Sequence, residues 1–250
     1  MRWAGAFSGA AWGLADGKRR RAVASNIPGA FNPLLPFVHF HWTVLENLKY
    51  REMDSAWVAS HVRVRGMEHV RKVLDAGGTA IHLTSHIGNW EIGARATALL
   101  GIPLTMVVME NTDGGMEDAY RTRRGMPGLE VAYVGRLAAR RALRALREGK
   151  NLAMVFDFVP NDRGIEIQWF GRAAKVARGP FWLAQKAGVP IIPTFCLRRG
   201  VGEFDLVFEE ALQPSRADFI QKTVDCMESY QRQYRAQWAQ FTPIHGAGAN

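Results

Sequence analysis

Short apolar runs alternate with longer stretches of helical pattern through most of the chain. Runs of this kind, rich in Val, Ile, Leu and Phe, predict buried strands. The predicted strands are 79–85, 104–109, 129–134, 152–156, 191–197 and 204–208. The predicted helices between them are 89–100, 115–124, 137–147 and 179–187. Such alternation is typical of an α/β fold with a mostly parallel sheet flanked by helices.

Both ends of the chain have a different pattern. Residues 1–60 are rich in aromatic residues and predict a helical N-terminal segment. Residues 215–240 predict a final helix with Ser215 as N-cap, because a Ser hydroxyl accepts from first-turn amides. Its apolar stripe is Ile220, Val224 and Met227, continued by Tyr230, Tyr234 and Trp238. No internal repeat or Pro/Gly linker divides the sequence, so we expect residues 1–250 to form one domain.

The charge balance is strongly basic. Lys and Arg number 32 against 23 Asp and Glu, which gives a net charge of +9. This surface favours an anionic partner, such as a membrane, an acidic protein or a phosphate-bearing substrate. The basic run 18–21 suits a segment lying on an anionic bilayer, and we expect no nucleic acid, since no nucleic-acid-binding motif is present. Four basic residues lie on one predicted helix face: Arg136, Arg140, Arg144 and Arg147. This face is either solvated or docks to anionic headgroups or to an acidic carrier protein.

Cysteine usage and the uncharged stretch 22–45 exclude two other classes. Cys196 and Cys226 form no CxxC pair, which excludes a disulfide framework or a zinc knuckle and indicates a reducing compartment. Residues 22–45 are long enough to cross a bilayer, but three prolines interrupt them. Each proline removes an amide donor, so we expect no membrane-spanning helix there.

The segment Thr84–Glu91 (TSHIGNWE) contains the candidate site. It follows a predicted strand and opens a predicted helix, and ligand sites of open α/β sheets lie beyond the carboxyl ends of strands. Asn89 is a plausible N-cap, which puts Glu91 in the first helical turn, and Gly88 allows close backbone approach. The Glu91 carboxylate can then fold back onto the His86 imidazole, fix its tautomer and make it a general base for a hydroxyl. A structural histidine at a strand end fits the same spacing.

The same residues carry a family resemblance. The word SHIGNWE resembles the H-x-G-N-W-E signature of bacterial lipid A late acyltransferases (lauroyl/myristoyl acyltransferases), which belong to the lysophospholipid acyltransferase superfamily. The resemblance continues in order through residues 66–210, the expected catalytic core. Its further segments are Arg124-Gly125, the stretch 143–157 ending in Asp157, the stretch 169–172 and the stretch 179–195.

This resemblance implies an O-acyltransferase with a lysophospholipid-acyltransferase-like fold. The donor would be an acyl thioester on acyl carrier protein or coenzyme A, and the acceptor a hydroxyl of a lipid or glycolipid, such as a lipid A precursor. The enzyme would be peripheral, on the cytoplasmic face of the inner membrane, without cofactor or metal. His86 would be the general base and Glu91 its orienting acid. The implied substrate-binding residues are Arg124, Asp157, Arg178, Asn89 and Gly88.

Departures from the family pattern leave the acceptor open. The N-terminal region is short and broken by prolines, and residues 176–179 replace a Thr-rich approach to the glycine. A phosphatidylinositol mannoside or an amino-acid lipid is an alternative acceptor. Hydrolysis of the thioester by the same histidine is an alternative reaction.

Overall fold

The computed structural model describes residues 2–109, 127–135, 137–159 and 164–245. The helices are α1 (Arg2–Ala15), α2 (Gly17–Asn26), α3 (Leu35–Asn47), α4 (Ser55–His61), α5 (Met67–Leu74), α6 (Trp90–Leu99), α7 (Ala138–Arg147), α8 (Arg178–Ala187) and α9 (Phe219–Gln233). The strands are β1 (Val62–Arg65), β2 (Ile81–Thr84), β3 (Leu104–Val108), β4 (Leu129–Tyr133), β5 (Asn151–Val155), β6 (Gly164–Trp169), β7 (Arg172–Ala177), β8 (Ile191–Gly200) and β9 (Glu203–Phe208). Every predicted strand is present, and the predicted helix 115–124 lies outside the described residues.

Within the described part of the chain, seven strands form the main sheet in the order β1-β9-β8-β2-β5-β3-β4. The strands from β8 to β4 run parallel, as predicted, whereas β9 pairs antiparallel with β8 and β1 pairs parallel with β9. The predicted α/β class with a mostly parallel sheet is therefore confirmed. Strand β1 was not predicted, because its alternation of Val and Arg covers only four residues.

Helices cover both faces of the sheet. On one face α4, α5 and α6 bury a cluster that includes Val70, Ile92 and Phe204. On the other face α7, α8 and α9 bury a larger cluster that includes Leu146 and Phe181. A sheet buried on both sides explains why its strands appear in the sequence as continuous apolar runs.

Strands β6 and β7 form a separate two-stranded hairpin that the sequence pattern did not predict. Phe170 and Gly171 make its turn with φ angles of 53° and 75°. A left-handed Phe is strained, but here its buried ring stacks on Trp169 and its amide donates to Glu228. These contacts stabilise a hairpin turn whose sequence resembles no ordinary turn motif.

The N-terminal helices add a further layer, as predicted for residues 1–60. Helix α1 packs against α3 through Gly5, Gly9 and Gly13, which recur every fourth residue. A Cβ atom at Gly9 would lie 2.6 Å from the Cα atom of Val38, so only glycine permits this distance between the helices. Among the described residues, helices fall short of the length and apolarity needed to cross a bilayer.

The C-terminal segment differs from the prediction. Helix α9 begins at Phe219 with Asp218 in the N-cap position, so Ser215 is not the cap, and it ends at Gln233 instead of continuing to residue 240. A short 3-10 turn (Arg235–Gln237) follows, and Trp238 then pairs with Ile87 in an antiparallel bridge. The tertiary contacts made by this extended segment outweigh the helical pattern of its apolar residues.

Candidate active site

Two neighbouring parallel strands bring His86 and Asp157 together. Strands β2 and β5 pair with Thr84 opposite Val155. His86 lies two residues beyond Thr84, and Asp157 lies two residues beyond Val155. Because the strands are parallel and in this register, both side chains emerge at the same level of the sheet edge.

The His86 imidazole is held by the Asp157 carboxylate. Its Nδ1 lies 2.7 Å from Oδ1 of Asp157, and its backbone amide donates to Oδ2 at 2.9 Å. An ionised carboxylate only accepts, so Nδ1 carries the hydrogen and Nε2 of the neutral ring keeps a free lone pair. The side chain is 29% exposed, and Nε2 makes no hydrogen bond to the described part of the chain. His86 is therefore an accessible base with a fixed tautomer.

The C-terminal segment completes the support of Asp157. The indole Nε1 of Trp238 donates to Oδ2 at 2.9 Å, the Gln240 side chain donates to the Asp157 carbonyl, and the amide of Ala239 donates to the His86 carbonyl at 2.7 Å. Asp157 and Trp238 are both buried. The helical spacing of Trp238 in the sequence did not predict this position.

The charges of the site favour the ionised forms of both His86 and Asp157. Burial lowers the pKa of His86, but the charge and hydrogen bond of the Asp157 carboxylate, with a smaller contribution from the Glu91 carboxylate, outweigh burial and raise that pKa above its ordinary value. Burial raises the pKa of Asp157, but His86 and the Trp238 hydrogen bond outweigh it, so the pKa of Asp157 is lowered. Asp157 therefore stays ionised while it stabilises an imidazolium.

The orienting contact predicted for Glu91 belongs to Asp157. Glu91 is buried in the first turn of α6 and raises the pKa of His86 through its charge. The hydrogen bond that fixes the ring at Nδ1 is made by Asp157, which we had expected to bind substrate. The reason is topological, since β5 ends directly beside β2 while the chain between His86 and Glu91 turns into a helix.

Gly88 and Asn89 shape the loop that presents His86. Gly88 has a φ of 66°, and a Cβ atom there would lie 2.0 Å from the Cys196 carbonyl oxygen. Asn89 caps α6 by accepting from the Ile92 amide, and its Nδ2 donates to Glu46 at 2.8 Å. Both ends of the Asn89 amide are thus used inside the protein, so this geometry supports a structural role instead of the predicted substrate contact.

An ion pair between buried Arg198 and partly buried Glu46 connects this loop to α3. Glu46 accepts from Arg198 through both carboxylate oxygens, at 2.8 and 2.6 Å, in addition to the Asn89 contact. Thr43 donates to the Gly88 carbonyl at 3.0 Å and accepts from Arg198 at 3.2 Å. Helix α3 and strand β8 are therefore tied to the loop by charged hydrogen bonds.

The two predicted arginines have different outcomes. Arg178 is exposed at the start of α8, directly after Ala177, whose amide donates to the Phe156 carbonyl beside Asp157. Its predicted role in binding substrate stays a prediction. Arg124 lies outside the described residues, and its role stays a prediction as well.

A cavity of about 580 Å³ lies at the same edge of the sheet, between α3 and the β8–β9 turn. Trp42, Leu45 and Phe204 contribute apolar walls, and Glu46 and Arg198 lie in the wall nearest to the His86 loop. Its volume lies within the range of small-molecule sites, about 300–1,000 Å³.

The chain is similar to known acyltransferases. Residues 37–245 match the family model described as bacterial lipid A biosynthesis acyltransferase. The chain is similar to a phosphatidylinositol mannoside acyltransferase of Mycolicibacterium smegmatis, with 24% identity over 204 residues, covering 79% of this chain and 67% of that protein. It is also similar to a phosphatidylinositol mannoside acyltransferase of Mycobacterium tuberculosis, with 23% identity over 142 residues, covering 56% of this chain and 45% of that protein.

Proposed function

Because the chain belongs to the bacterial lipid A biosynthesis acyltransferase family, we propose that it moves a fatty acyl chain from a thioester to a hydroxyl of a membrane glycolipid. Family membership makes it an enzyme that transfers acyl groups, and the relatives support a lipid as acceptor. The observation that carries the proposal is the accessible Nε2 of His86 backed by Asp157.

In the proposed reaction Nε2 of His86 takes the proton of the acceptor hydroxyl as its oxygen attacks the thioester carbonyl carbon. Asp157 stabilises the imidazolium that forms, without taking its proton. The tetrahedral intermediate then collapses, the C–S bond breaks, and the imidazolium returns the proton to the leaving thiolate. The products are an ester and a free thiol, and no acyl-enzyme forms. Arg178 and Arg124 are the proposed cations for the oxyanion or for a substrate phosphate.

The acceptor we favour is a phosphatidylinositol mannoside, because the relatives carry that name. A lipid A precursor is the other candidate, from the family model. The donor would be acyl carrier protein or coenzyme A, each of which presents an acyl thioester. The reaction would take place at the cytoplasmic face of the inner membrane, where such donors and lipid acceptors meet. The cavity beside α3 has room for an apolar part of a substrate.

Purified protein with an acyl-coenzyme A or acyl carrier protein donor and a detergent-dispersed acceptor tests the proposal. His86→Ala should lower ester formation by about 10²–10⁴-fold, the usual contribution of a general base. His69→Ala, which changes a histidine of α5, should leave ester formation unchanged. Wild-type turnover in His86→Ala would reject the mechanism.

Mass spectrometry of the products separates transfer from hydrolysis. Ester formation that requires the acceptor supports the transferase. Free acid that accumulates at the same rate without any acceptor would identify a thioester hydrolase instead, using His86 to activate water.

A further inference from the structure

Helix α1 has an apolar face that is open to solvent. Trp3, Phe7 and Leu14 are 86%, 80% and 64% exposed. Their spacing of four and seven residues puts them on one side of the helix, with the exposed Ala11 between Phe7 and Leu14. Large apolar side chains grouped in this way mark an interaction surface.

The opposite face of α1 is already occupied. The glycines at every fourth position lie against α3, as described above, and α1 carries one charged residue in fourteen. A surface helix normally has polar residues opposite its buried stripe. Here the outer side is apolar as well, so a second partner for α1 is expected on that side.

The charge beside this face identifies the partner. Residues 2–26 contain five basic side chains and one acidic one. The run 18–21 follows α1 directly at the start of α2, and Lys18 and Arg21 are both exposed. Two copies of the chain packed through α1 would bring two such basic runs close together, which opposes dimerisation. An anionic surface with an apolar interior fits both properties.

We propose that the Trp3–Phe7–Leu14 face of α1 inserts into the interfacial region of an anionic bilayer, with Lys18 and Arg21 contacting lipid phosphates. Helix α1 then lies in the plane of the membrane, since its opposite face is packed along α3. Tryptophan is enriched at this interfacial depth in membrane proteins. The docked helix holds α3, and through Thr43 and Glu46 the His86 loop, near the lipid surface.

Sedimentation with vesicles tests this surface in the absence of substrate. The unaltered protein should bind vesicles of phosphatidylcholine and phosphatidylglycerol, and bind pure phosphatidylcholine vesicles more weakly. The double variant Trp3→Ser/Phe7→Ser should lower the partition coefficient by about tenfold or more, because two large side chains lose apolar burial. Lys18→Gln/Arg21→Gln should lower binding to the anionic vesicles by about fivefold for each charge.

A matched control is Trp182→Ser in α8, where the tryptophan is 42% exposed and lies away from α1. It should bind vesicles like the unaltered protein. Equal binding by Trp3→Ser/Phe7→Ser would overturn the proposal. The proposal would also be overturned if the unaltered chain bound no vesicles but formed a dimer in analytical ultracentrifugation that this variant abolished. The proposal rests on the proposed function only in that the bound membrane would contain the lipid substrate. Turnover on detergent-dispersed acceptor measures that function separately from vesicle binding.

Discussion

Asp157→Asn is the substitution that separates orientation of His86 from folding of the site. Oδ2 of Asp157 accepts from two donors, the His86 amide and the Trp238 indole, each at 2.9 Å. An asparagine must therefore keep its carbonyl oxygen at that position, since an NH₂ group there would face two donors. The NH₂ group is then directed at Nδ1 of His86, which lies 2.7 Å from the present Oδ1.

The consequence is a change of tautomer. Facing an amide donor, Nδ1 must accept, so the hydrogen moves to Nε2 and the catalytic lone pair is lost. We expect kcat to fall by about 10²–10⁴-fold, which is about 3–5 kcal/mol in activation free energy. The variant also lacks the carboxylate that raises the pKa of His86, so that pKa should fall because burial still lowers it.

Steady-state rates from about one pH unit below to two above the ordinary histidine pKa of about 6.5 measure both effects. In the unaltered enzyme kcat/KM should decrease as pH falls through the raised pKa of His86, because the base becomes protonated. In Asp157→Asn the remaining activity should decrease only at lower pH. Asp205→Asn is the matched control, because Asp205 is also buried and accepts from Arg63, but lies on β9, three strands away from β5 in the sheet.

Two results would refute this reasoning. One is an Asp157→Asn enzyme with a rate within threefold of the unaltered enzyme and an unchanged pH profile. The other is an equal loss of activity in Asp205→Asn, which would mean that the loss in Asp157→Asn comes from reduced stability of the fold. Circular dichroism and thermal unfolding of each variant establish that the compared proteins are folded.

Three further predictions concern the support of this site. Trp238→Phe keeps an aromatic ring at this position but removes the donor to Asp157, so the carboxylate becomes more basic. The acid limb of kcat/KM should therefore move to higher pH. Gly88→Ala places a Cβ atom on a left-handed residue and against the Cys196 carbonyl, which should lower the free energy of unfolding by about 2 kcal/mol. The melting temperature should then fall by roughly 4–8 °C. Arg198→Met leaves Glu46 without its guanidinium, and urea unfolding should show a loss of about 3–5 kcal/mol, most of which the additional change Glu46→Leu restores. An unchanged acid limb in Trp238→Phe, an unchanged melting temperature in Gly88→Ala or an unchanged urea midpoint in Arg198→Met would contradict the corresponding prediction.

The order of strands and helices followed from the sequence because burial on both faces of a parallel sheet leaves continuous apolar runs. The loop with His86 and the cap by Asn89 followed from local rules as well, since an N-cap depends on neighbouring residues. The N-terminal helical segment was predicted in the same way. The hairpin of β6 and β7 was missed because its turn depends on packing of Phe170 instead of on turn residues.

Tertiary structure alone decided which acid holds the histidine. Glu91 is five residues from His86, so local spacing favoured it, whereas Asp157 is 71 residues away and reaches Nδ1 through the pairing of β2 with β5. Trp238 likewise has a helical spacing in the sequence but leaves the helix, because its indole finds a buried carboxylate to donate to. The sequence by itself indicated His86 as the candidate base and determined its loop, since these depend on neighbours along the chain. The partners of that base depend on strand register and chain return, which no local pattern encodes.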